Sequence, residues 1–357
     1  MTDDFINLLE TLVSLPSPSH NEAEAANYLA QWMREHGLQA FVDGVGNAVG
    51  GKGEGSQEIM LLGHIDTFPG QPPVRREGDL LYGRGSVDAK GALCVFAAAA
   101  AQVVTPAGWR VTVVGAVEEE AASSRGARQI LARRQYRPPA FCIIGEPSQW
   151  DRVALGYKGR LLLHLNARLP LAHSAGPEES PAEWGVKLWQ AIQTYSDSFN
   201  QGRQGTFHKL NASLRAIHTW ERGAYGEVEL SLGFRLPLDL APETLEKTLR
   251  DLVAVQAKAG EVSLRLEGCE AAYQALKSTP LVRAFLSAIR AVGGTPRFVL
   301  KTGTSDMNIV GPAWSCPILA YGPGDSSLDH TPQEHLNLRE YLQAIEVLVG
   351  VLTRLME

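Results

Sequence analysis

The most informative residues of this chain are histidines and acidic residues that could together bind divalent metal ions. Imidazole and carboxylate groups, without thiolates, are a ligand mixture that suits zinc, cobalt or manganese. The candidates are His64, Asp66, Asp88, Glu118, Glu119, Glu120, Glu146 and His330. Singly, each has an ordinary explanation, because a lone histidine is usually structural and an acidic triplet is usually a solvated face. The hypothesis of a metal site therefore depends on the fold bringing them together.

Three of these polar groups follow short apolar runs that are typical of buried strands. IMLLG precedes His64, VTVVGAV leads into Glu118, and FCIIG leads into Glu146. Helix-like stretches such as AKGALCVFAAAAAQVV separate the runs, and this alternation predicts an α/β sheet covered on both faces. Open α/β sheets bind ligands at the carboxyl ends of their strands. We therefore expect the polar groups to meet at one edge of the sheet.

The flanking segments predict further elements. Ser19 followed by Glu22 is a capping-box signature, and apolar residues then recur at helical spacing until Gly37, which predicts an amphipathic helix. The last helix is expected from about Asn337 to the end of the chain.

The middle of the chain has a different pattern. Beyond about Gly156 the residues alternate as in strands, most clearly at 227–235, with helical stretches near 183–197 and 241–258. A compact α+β insert fits this pattern. We therefore expect a larger domain that is split around the insert.

Composition limits the possible partners. The chain has 357 residues, and 45% of them are hydrophobic. This length exceeds what a single hydrophobic core usually organises. Its net charge of -6 and pI near 5.9 provide no general attraction to nucleic acid or anionic lipid. The N-terminal segment is acidic where a signal peptide is basic, and no apolar run approaches the roughly 20 residues of a membrane span. We expect a cytoplasmic enzyme without a nucleic-acid or membrane partner.

The cysteines do not form a metal-binding or disulfide pattern. They lie far apart, at positions Cys94, Cys142, Cys269 and Cys316, without a C-x-x-C pair. We expect all four to be reduced and buried. Any metal ligands must then be histidine and carboxylate.

Six segments carry the candidate residues in a fixed order. They are GHIDT at 63–67, GRGSVDAKG at 83–91, VEEEAASSRGAR at 117–128, IIGEPS at 143–148, AHSAGP at 172–177 and YGPGDSSLDHTPQEH at 321–335. This series resembles the di-zinc aminoacylase and carboxypeptidase superfamily, which includes acetylornithine deacetylase and succinyl-diaminopimelate desuccinylase, over nearly the whole chain. The resemblance implies a two-domain α/β metallopeptidase. Its mixed-sheet zinc catalytic domain would comprise residues 1–155 and 269–357, and an inserted α+β dimerisation or lid domain residues 156–268.

Carried over residue by residue, the resemblance implies a site for two divalent ions, with zinc expected and cobalt or manganese as alternatives. His64 and Glu146 would bind one ion, Glu120 and His330 would bind the other, and Asp88 would bridge them. Two-metal sites hold their ions about 3.5 to 4 Å apart, a distance that one carboxylate can span.

The resemblance also implies residues for proton transfer and orientation. Glu119 matches the general base, and Asp66 would accept the second ring N–H of His64 and fix its tautomer. Members of the superfamily commonly have Asp where this chain has Glu118. Three consecutive glutamates therefore leave the register of the base open by one residue.

Two residues of the insert match positions that contact substrate in the superfamily. His173 would stabilise the oxyanion, often from the partner subunit, so a homodimer is expected. Arg235 would bind a substrate carboxylate, for which a guanidinium is well suited. Alternatively, His173 is a surface-loop residue and Arg235 forms a salt bridge at the rim.

Two segments, KTGTSDMNIV at 301–310 and YGPGDSSLDHTP, are similar to a carrier-protein branch, the LysW-lysine and LysW-ornithine hydrolases. These enzymes release lysine or ornithine from LysW, a small acidic carrier protein, in lysine and arginine biosynthesis. They cleave the amide between the γ-carboxyl of its C-terminal Glu and the α-amine of the amino acid. Asp306 would meet the basic side chain, or only cap a turn. Lys158 and Arg160 would hold the carrier tail, or be exposed strand residues.

Two other functions stay open. The first is a small-molecule N-acyl amino acid deacylase of the acetylornithine deacetylase or succinyl-diaminopimelate desuccinylase type, with the same ions and base. The second is a catalytically silent amino-acid-binding scaffold. The complete set of ligands and base in the sequence argues against the second, because a catalytic site needs its full constellation.

Overall fold

The apolar runs of the sequence are strands that end in polar segments in a computed structural model of the chain. The structure describes residues 2–133, 137–173, 175–256 and 261–357. The helices are α1 (Thr2–Ser14), α2 (Ala23–Glu35), α3 (Lys90–Gln102), α4 (Arg125–Arg133), α5 (Pro181–Asn200), α6 (Pro242–Gln256), α7 (Pro280–Ala291), α8 (Met307–Ala313) and α9 (Leu338–Met356). The strands are β1 (Gln39–Val42), β2 (Ala48–Lys52), β3 (Gln57–His64), β4 (Arg75–Glu77), β5 (Leu80–Tyr82), β6 (Trp109–Ala116), β7 (Phe141–Gly145), β8 (Arg152–Tyr157), β9 (Gly159–Pro170), β10 (Asn211–Arg222), β11 (Tyr225–Leu236), β12 (Glu261–Glu270), β13 (Tyr273–Gln274), β14 (Arg297–Lys301), β15 (Ile318–Tyr321) and β16 (His335–Asn337).

The chain divides into two compact units. The first contains the residues up to Gly156 together with Ala275–Leu300 and Ser305–Glu357, and the second contains Tyr157–Gln274 and Lys301–Thr304. An α/β fold with a mixed sheet is thus confirmed, with a separate unit in the middle of the chain.

The edges of the second unit differ from those expected from the sequence. A boundary after residue 268 would cut β12, because the pairing of that strand with β9 continues to Glu270. The short segment 301–304 also belongs to this unit, and the Lys158 N–H donates to the Lys301 carbonyl at 3.3 Å.

The main sheet of the first unit is mixed. Its order is β1-β2-β6-β3-β7-β15-β8, and β14 also pairs with β8. The central strands β6, β3, β7 and β15 are parallel, while β1, β2 and β8 run antiparallel to their neighbours. The central strands are continuous apolar runs because both their faces are buried, as the last six residues of β3 illustrate. Their carboxyl ends therefore lie at one edge.

Helix α3 fixes the centre of this unit. Nearly all of its residues are buried, from Lys90 to Ala100, because it contacts β3, β6 and β7 as well as α1 and α9. A helix that is apolar all round must be an interior helix. The Lys90 ammonium is kept in this interior by donating to the carbonyls of Leu12 and Leu15, at 2.9 and 2.6 Å.

The second unit has its own core. Four antiparallel strands in the order β10-β11-β9-β12 are packed by α5 and α6. Alternate residues of β9 are buried, from Leu161 to Leu169, as expected for a strand with one covered face. Helix α5 begins with a capping box in which the Ser180 side chain accepts from the Glu183 N–H.

The predicted capping box before α2 is wrong. Helix α2 begins at Ala23, and Glu22 occupies the N-cap position without a side-chain cap bond. The Ser19 hydroxyl instead donates to Asp66 Oδ2 at 2.7 Å. The hydroxyl therefore supports the functional site described below instead of the helix.

The expectation of four buried cysteines is also partly wrong. Cys94 and Cys142 are buried and Cys316 is partly buried, whereas Cys269 is exposed. Cys269 lies near the end of β12, an edge strand of the second unit whose residues alternate in exposure. Separately, no helix in the described ranges is long and apolar enough to cross a membrane.

The loop after β6 is closed at its neck by one buried side chain. Asn47 Oδ1 accepts from the Val117 N–H at 3.1 Å, and its Nδ2 donates to the Gly126 carbonyl at 3.2 Å. The Gly126 N–H in turn donates to the Val117 carbonyl at 3.0 Å. A methyl group at Gly126 would lie 2.5 Å from both Asn47 Oδ1 and Val117 N. The neck therefore requires glycine.

We predict that Gly126→Ala lowers the free energy of unfolding by about 1–3 kcal/mol, because backbone atoms must move to admit the methyl group. Gly51→Ala is the control, since no heavy atom lies within 4 Å of its new methyl group. It should change the free energy by less than about 0.5 kcal/mol. Urea titrations followed by circular dichroism measure both. Equal effects of the two substitutions would contradict this account of the neck.

Candidate metal centre

The parallel strands bring the predicted ligands to one edge of the main sheet. His64 is the last residue of β3, Glu146 directly follows β7, and the three glutamates Glu118 to Glu120 follow β6. Because β6, β3 and β7 are adjacent and parallel, their carboxyl ends lie side by side. Asp88 lies just before α3, and His330 lies between β15 and β16.

Five of these residues form two groups that could each hold an ion. His64, Asp88 and Glu146 form one group, and Asp88, Glu120 and His330 form the other. Within each group, one ligand atom from every residue lies within 4.8 Å of the others. These groups correspond to the two ligand sets that the resemblance implies.

Asp88 is shared because its two oxygens face different histidines. Its Oδ1 lies 3.3 Å from His64 Nε2, and its Oδ2 lies 3.1 Å from His330 Nε2. His330 Nε2 also lies 2.9 Å from Glu120 Oε1. One carboxylate with an oxygen directed to each group has the geometry of a bridging ligand.

The charge of the cluster fits divalent cations. Among the described residues, the two groups combine three carboxylates, of Asp88, Glu120 and Glu146, with two imidazoles, of His64 and His330. Buried charges of one sign must be paired or must coordinate metal. The nitrogen and oxygen donors suit zinc, cobalt or manganese. The residues present therefore fit a site for two divalent ions.

Three carboxylates of the cluster, those of Glu119, Glu120 and Glu146, have a raised pKa. Burial raises the pKa of Glu119 well above its usual range, and the nearby carboxylates of Asp306 and Glu120 raise it further against the opposing effect of His64. Burial also raises the pKa of Glu120 and, more strongly, that of Glu146.

The imidazoles respond to these carboxylates. Hydrogen bonds to Asp88 and Glu120 raise the pKa of His330 to about 10. Burial opposes protonation of His64, but its bonds to Asp66 and Asp88 outweigh burial and raise its pKa well above the usual range. For Asp88, burial is likewise outweighed by its hydrogen bonds with His330 and His64, which lower its pKa.

Asp66 is fully buried beside His64 but, contrary to expectation, its carboxylate is not the closest partner of the imidazole. The closest partner of His64 Nδ1 is the Asp66 main-chain carbonyl at 3.0 Å, while Asp66 Oδ1 lies 3.4 Å away. The carboxylate oxygens accept the N–H groups of Glu119 and Glu120, each at 3.0 Å. Asp66 thus orients the imidazole through its backbone and holds the glutamate loop through its side chain.

The neighbouring Glu118 and Glu119 have different environments. The Glu118 carboxylate accepts from Ser123 Oγ at 2.7 Å and from an Arg125 N–H at 3.1 Å. These bonds outweigh burial and lower the pKa of Glu118. Glu119 has a raised pKa and interacts with His64 of the ligand cluster.

Sequence reasoning missed a buried ion pair behind the ligands. The Arg84 guanidinium donates to Glu334 Oε2 at 2.6 Å, and the other Glu334 oxygen accepts the Val87 and Asp88 N–H groups at 3.0 and 3.2 Å. Arg84 also donates to the His330 carbonyl at 3.3 Å. One pair therefore holds the backbones of both Asp88 and His330. Arg84 and Glu334 lie in two of the segments that carry the predicted ligands, GRGSVDAKG and YGPGDSSLDHTPQEH, and this position could have indicated a role near the site.

An aromatic ring also supports His330. Phe68 stacks on its imidazole with ring centroids 4.2 Å apart and an interplanar angle of 13°. Phe68 directly follows the GHIDT segment, so its position in the sequence places it beside the site.

Asp306 belongs to the same environment. It is buried at the N-cap position of α8 without a side-chain cap bond, and its charge is close enough to raise the pKa of Glu119. The expected alternative of a capping side chain is therefore wrong.

The other predicted substrate residues lie in the second unit. His173 is exposed, and its Nδ1 accepts the Ala175 N–H at 3.1 Å, which places the proton of the neutral ring on Nε2. It borders a cavity of about 500 Å³ that is also lined by Trp220 and Glu227. Arg235 donates to the Thr304 hydroxyl.

Lys158 and Arg160 have structural contacts in the second unit instead of the expected exposure. Lys158 is completely buried, and its ammonium donates to the Thr206 and Lys209 carbonyls and to Asn211 Oδ1. Three acceptors use all three ammonium protons. Arg160 donates to Glu270 at 3.2 Å, in a pair that is mostly buried. This geometry corrects the interpretation of Lys158 as a contact for a carrier tail.

Comparison with known proteins places this geometry in a family. The model of peptidase family M20/M25/M40 matches residues 60–354. A [LysW]-lysine hydrolase of Deinococcus radiodurans is 44% identical over 355 residues, which cover 98% of this chain and 96% of the relative. A protein of Pyrococcus abyssi, provisionally named a [LysW]-lysine/[LysW]-ornithine hydrolase, is 39% identical over 99% of this chain and 94% of its own length.

The fold is likewise shared with a solved structure. An M20 family metallo-carboxypeptidase of Sulfolobus solfataricus superposes with a TM-score of 0.79 at 18% identity, and the match covers 99% of both chains. Because the family model spans the two segments that supply the ligands as well as the unit between them, the chain belongs to peptidase family M20/M25/M40 and is a metal-dependent hydrolase.

Proposed function

We propose that this enzyme hydrolyses the amide between the γ-carboxyl of the C-terminal Glu of the carrier protein LysW and the α-amine of lysine or ornithine. The main observation that supports metal-dependent hydrolysis is the position of Asp88. Its two oxygens face His64 and His330, which belong to different ligand groups. The names of the relatives at 44% and 39% identity, which cover nearly the whole chain, support the carrier-linked substrate.

The residues of the first unit support a mechanism for this reaction. Two divalent ions, for which zinc is our proposal, would supply Lewis-acid activation of the water and of the scissile carbonyl. Glu119 takes one proton from the attacking water as the C–O bond forms, and delivers that proton to the leaving α-amine as the C–N bond subsequently breaks.

The environments of Glu118 and Glu119 support this choice of base. The Glu118 carboxylate accepts hydrogen bonds from Ser123 and Arg125 and has a lowered pKa. Glu119 lies beside the ligand cluster and has a raised pKa. Asp66 holds the Glu119 N–H, which fixes the backbone from which the base projects.

We assign substrate recognition to three further residues. The Nε2–H of His173 would stabilise the oxyanion, contributed by the partner subunit of a homodimer. Arg235 would bind the carboxylate of the amino acid. The buried Asp306 would meet the basic side chain of lysine or ornithine, since a carboxylate in this environment is best compensated by a cation.

A basic stretch of the first unit supports an acidic protein partner. Between Ala275 and Leu300 the sequence has four basic residues and no acidic residue, although the whole chain has a net charge of -6. All four are exposed: Lys277, Arg283, Arg290 and Arg297. Local positive charge of this kind favours encounter with an acidic carrier. A cytoplasmic location completes the proposal.

The substrate test compares carrier-linked and small amides. We expect the zinc-loaded enzyme to release lysine or ornithine from LysW, and to cleave acetylornithine or succinyl-diaminopimelate with a kcat/KM lower by about two orders of magnitude, since remote binding energy is lost. Mass spectrometry of the released amino acid measures both. Turnover of the small amides alone would replace the carrier reaction with the deacylase alternative.

The base test uses Glu119→Ala. We expect the variant to keep two ions per chain, because Glu119 belongs to neither ligand group, while kcat falls by at least about 100-fold. Metal analysis and the amino-acid release assay measure the two effects. Asp88→Ala is the matched comparison and should lose metal. Near-normal turnover of Glu119→Ala would assign the base to another residue.

The metal test follows the unfolding of metal-free and zinc-loaded enzyme with pH. Five groups of the proposed metal site have raised folded-state pKa values, so their protons stabilise the fold: His64, Glu119, Glu120, Glu146 and His330. This stabilisation is complete below the unfolded values, about 4.3 for Glu and 6.5 for His, and is lost as pH rises through the folded ones, of which that of His330 is about 10. Asp88 has a lowered pKa, so the stability that its carboxylate contributes is present above about pH 4 and is lost only as pH falls below that value.

Without ions, the unfolding midpoint should therefore fall between about pH 5 and pH 10. Bound ions replace the protons, so the loaded enzyme should lose less stability over the same range. Thermal unfolding with chelator or with zinc measures the difference. A midpoint that rises with pH in chelator would contradict the proposed cluster.

A further inference from the structure

We propose that Glu118 is a positioning residue that fixes the direction of Glu119, and that Glu22 holds the backbone of Glu118. The inference rests on the proposed function, because it concerns the base of that reaction. It assigns a role to two buried carboxylates that belong to neither ligand group.

Glu118 turns the chain sharply just before the base. Its φ of 61° lies in the left-handed region, which a residue with a side chain adopts only when its surroundings enforce it. The enforcing contacts are the bonds from Ser123 Oγ and Arg125 to its carboxylate. His20 Nδ1 lies 3.3 Å from the same carboxylate, with a ring that is mostly exposed.

Glu22 holds the backbone of the same residue. One oxygen, Oε1, accepts the Glu118 N–H at 3.2 Å and the His20 N–H at 2.9 Å. This bond replaces the capping role that the sequence suggested for Glu22. The loop before α2 and the loop after β6 are thereby joined at Glu118.

The next two residues are held by a different carboxylate, that of Asp66. Asp66 accepts the Glu119 and Glu120 N–H groups, and its own carboxylate accepts the Ser19 hydroxyl. Three successive N–H groups, from Glu118 to Glu120, therefore donate to buried or partly buried carboxylates. The N–H groups of Glu118, Glu119 and Glu120 are all held, so the backbone on both sides of Glu119 is fixed. The direction of the Glu119 side chain then depends on the turn at Glu118.

The loop neck restricts the other end of this segment. Asn47 joins Val117 to Gly126, so the chain enters and leaves the loop at fixed points. Glu118 is bonded to Ser123 and Arg125 of the same loop. Loss of the Glu118 carboxylate would free the turn without opening the neck. This separates a positioning role from a general role in folding.

The experiment measures turnover and backbone protection in Glu118→Ala, Glu118→Gln and the exposed control Glu24→Gln. We expect Glu118→Ala to lower kcat by about 10- to 100-fold, because displacement of a catalytic group by about 1 Å has an effect of this size. KM and the two bound ions should stay unchanged. Glu118→Gln should recover part of kcat, since its amide oxygen can accept one of the two bonds.

Two further readouts distinguish positioning from a direct or purely structural role. In a Glu119→Ala background, Glu118→Ala should lower the residual rate no further, because the residue acts through the base. Hydrogen exchange in metal-free protein should become faster at the Glu119 and Glu120 amides and stay unchanged in α9. This second readout does not depend on activity.

The outcomes decide the inference separately from the proposed function. An unchanged kcat in Glu118→Ala, a further loss in the Glu119→Ala background, or unchanged exchange at the two amides would each overturn the role of Glu118. Failure of the wild-type enzyme to cleave any carrier-linked or small amide would overturn the proposed function instead. The exchange measurement would then still test whether Glu118 holds the loop.

Discussion

The gathering of negative charge at one sheet edge is the constraint on which the rest of the first unit depends. Parallel strands bring carboxylates to the same place, and only two imidazoles accompany them. Such a cluster persists because the surrounding structure fixes the backbone of each member. Asp66 holds the glutamate loop, and the Arg84–Glu334 pair holds Asp88 and His330. The backbone support is thus as specific as the ligands.

Much of this site could be predicted because its residues follow simple patterns. His64 and Glu146 stand where apolar strands end, and that position alone indicates the carboxyl edge of a parallel sheet. Asp88 and His330 lie in loops, where periodicity gives no information. Only the order of the quoted segments suggested them. The separate central unit was predicted from the change of pattern near residue 156, whereas the mixed sheet was implied by the family resemblance.

The rest could not be predicted because it depends on contacts between distant parts of the chain. Ser19 has the local signature of a helix cap, but its hydroxyl bonds to Asp66, 47 residues away. Lys158 is charged and lies next to a predicted strand, as an exposed residue would, yet its ammonium donates to three oxygens of its own unit. The left-handed backbone of Glu118 is likewise set by tertiary contacts, since glutamate does not favour it.

The Arg84–Glu334 pair joins residues that are 250 positions apart. During synthesis on a ribosome, His64 and Asp88 leave the exit tunnel long before the residues that complete their site. The sheet and helices of the second unit, between residues 157 and 274, are complete earlier than His330. The nascent chain therefore exposes an unfinished acidic edge while the central unit already has its full sequence. The group of His64, Asp88 and Glu146 has all its ligands before the central unit is made, whereas the group of Asp88, Glu120 and His330 is completed only after it.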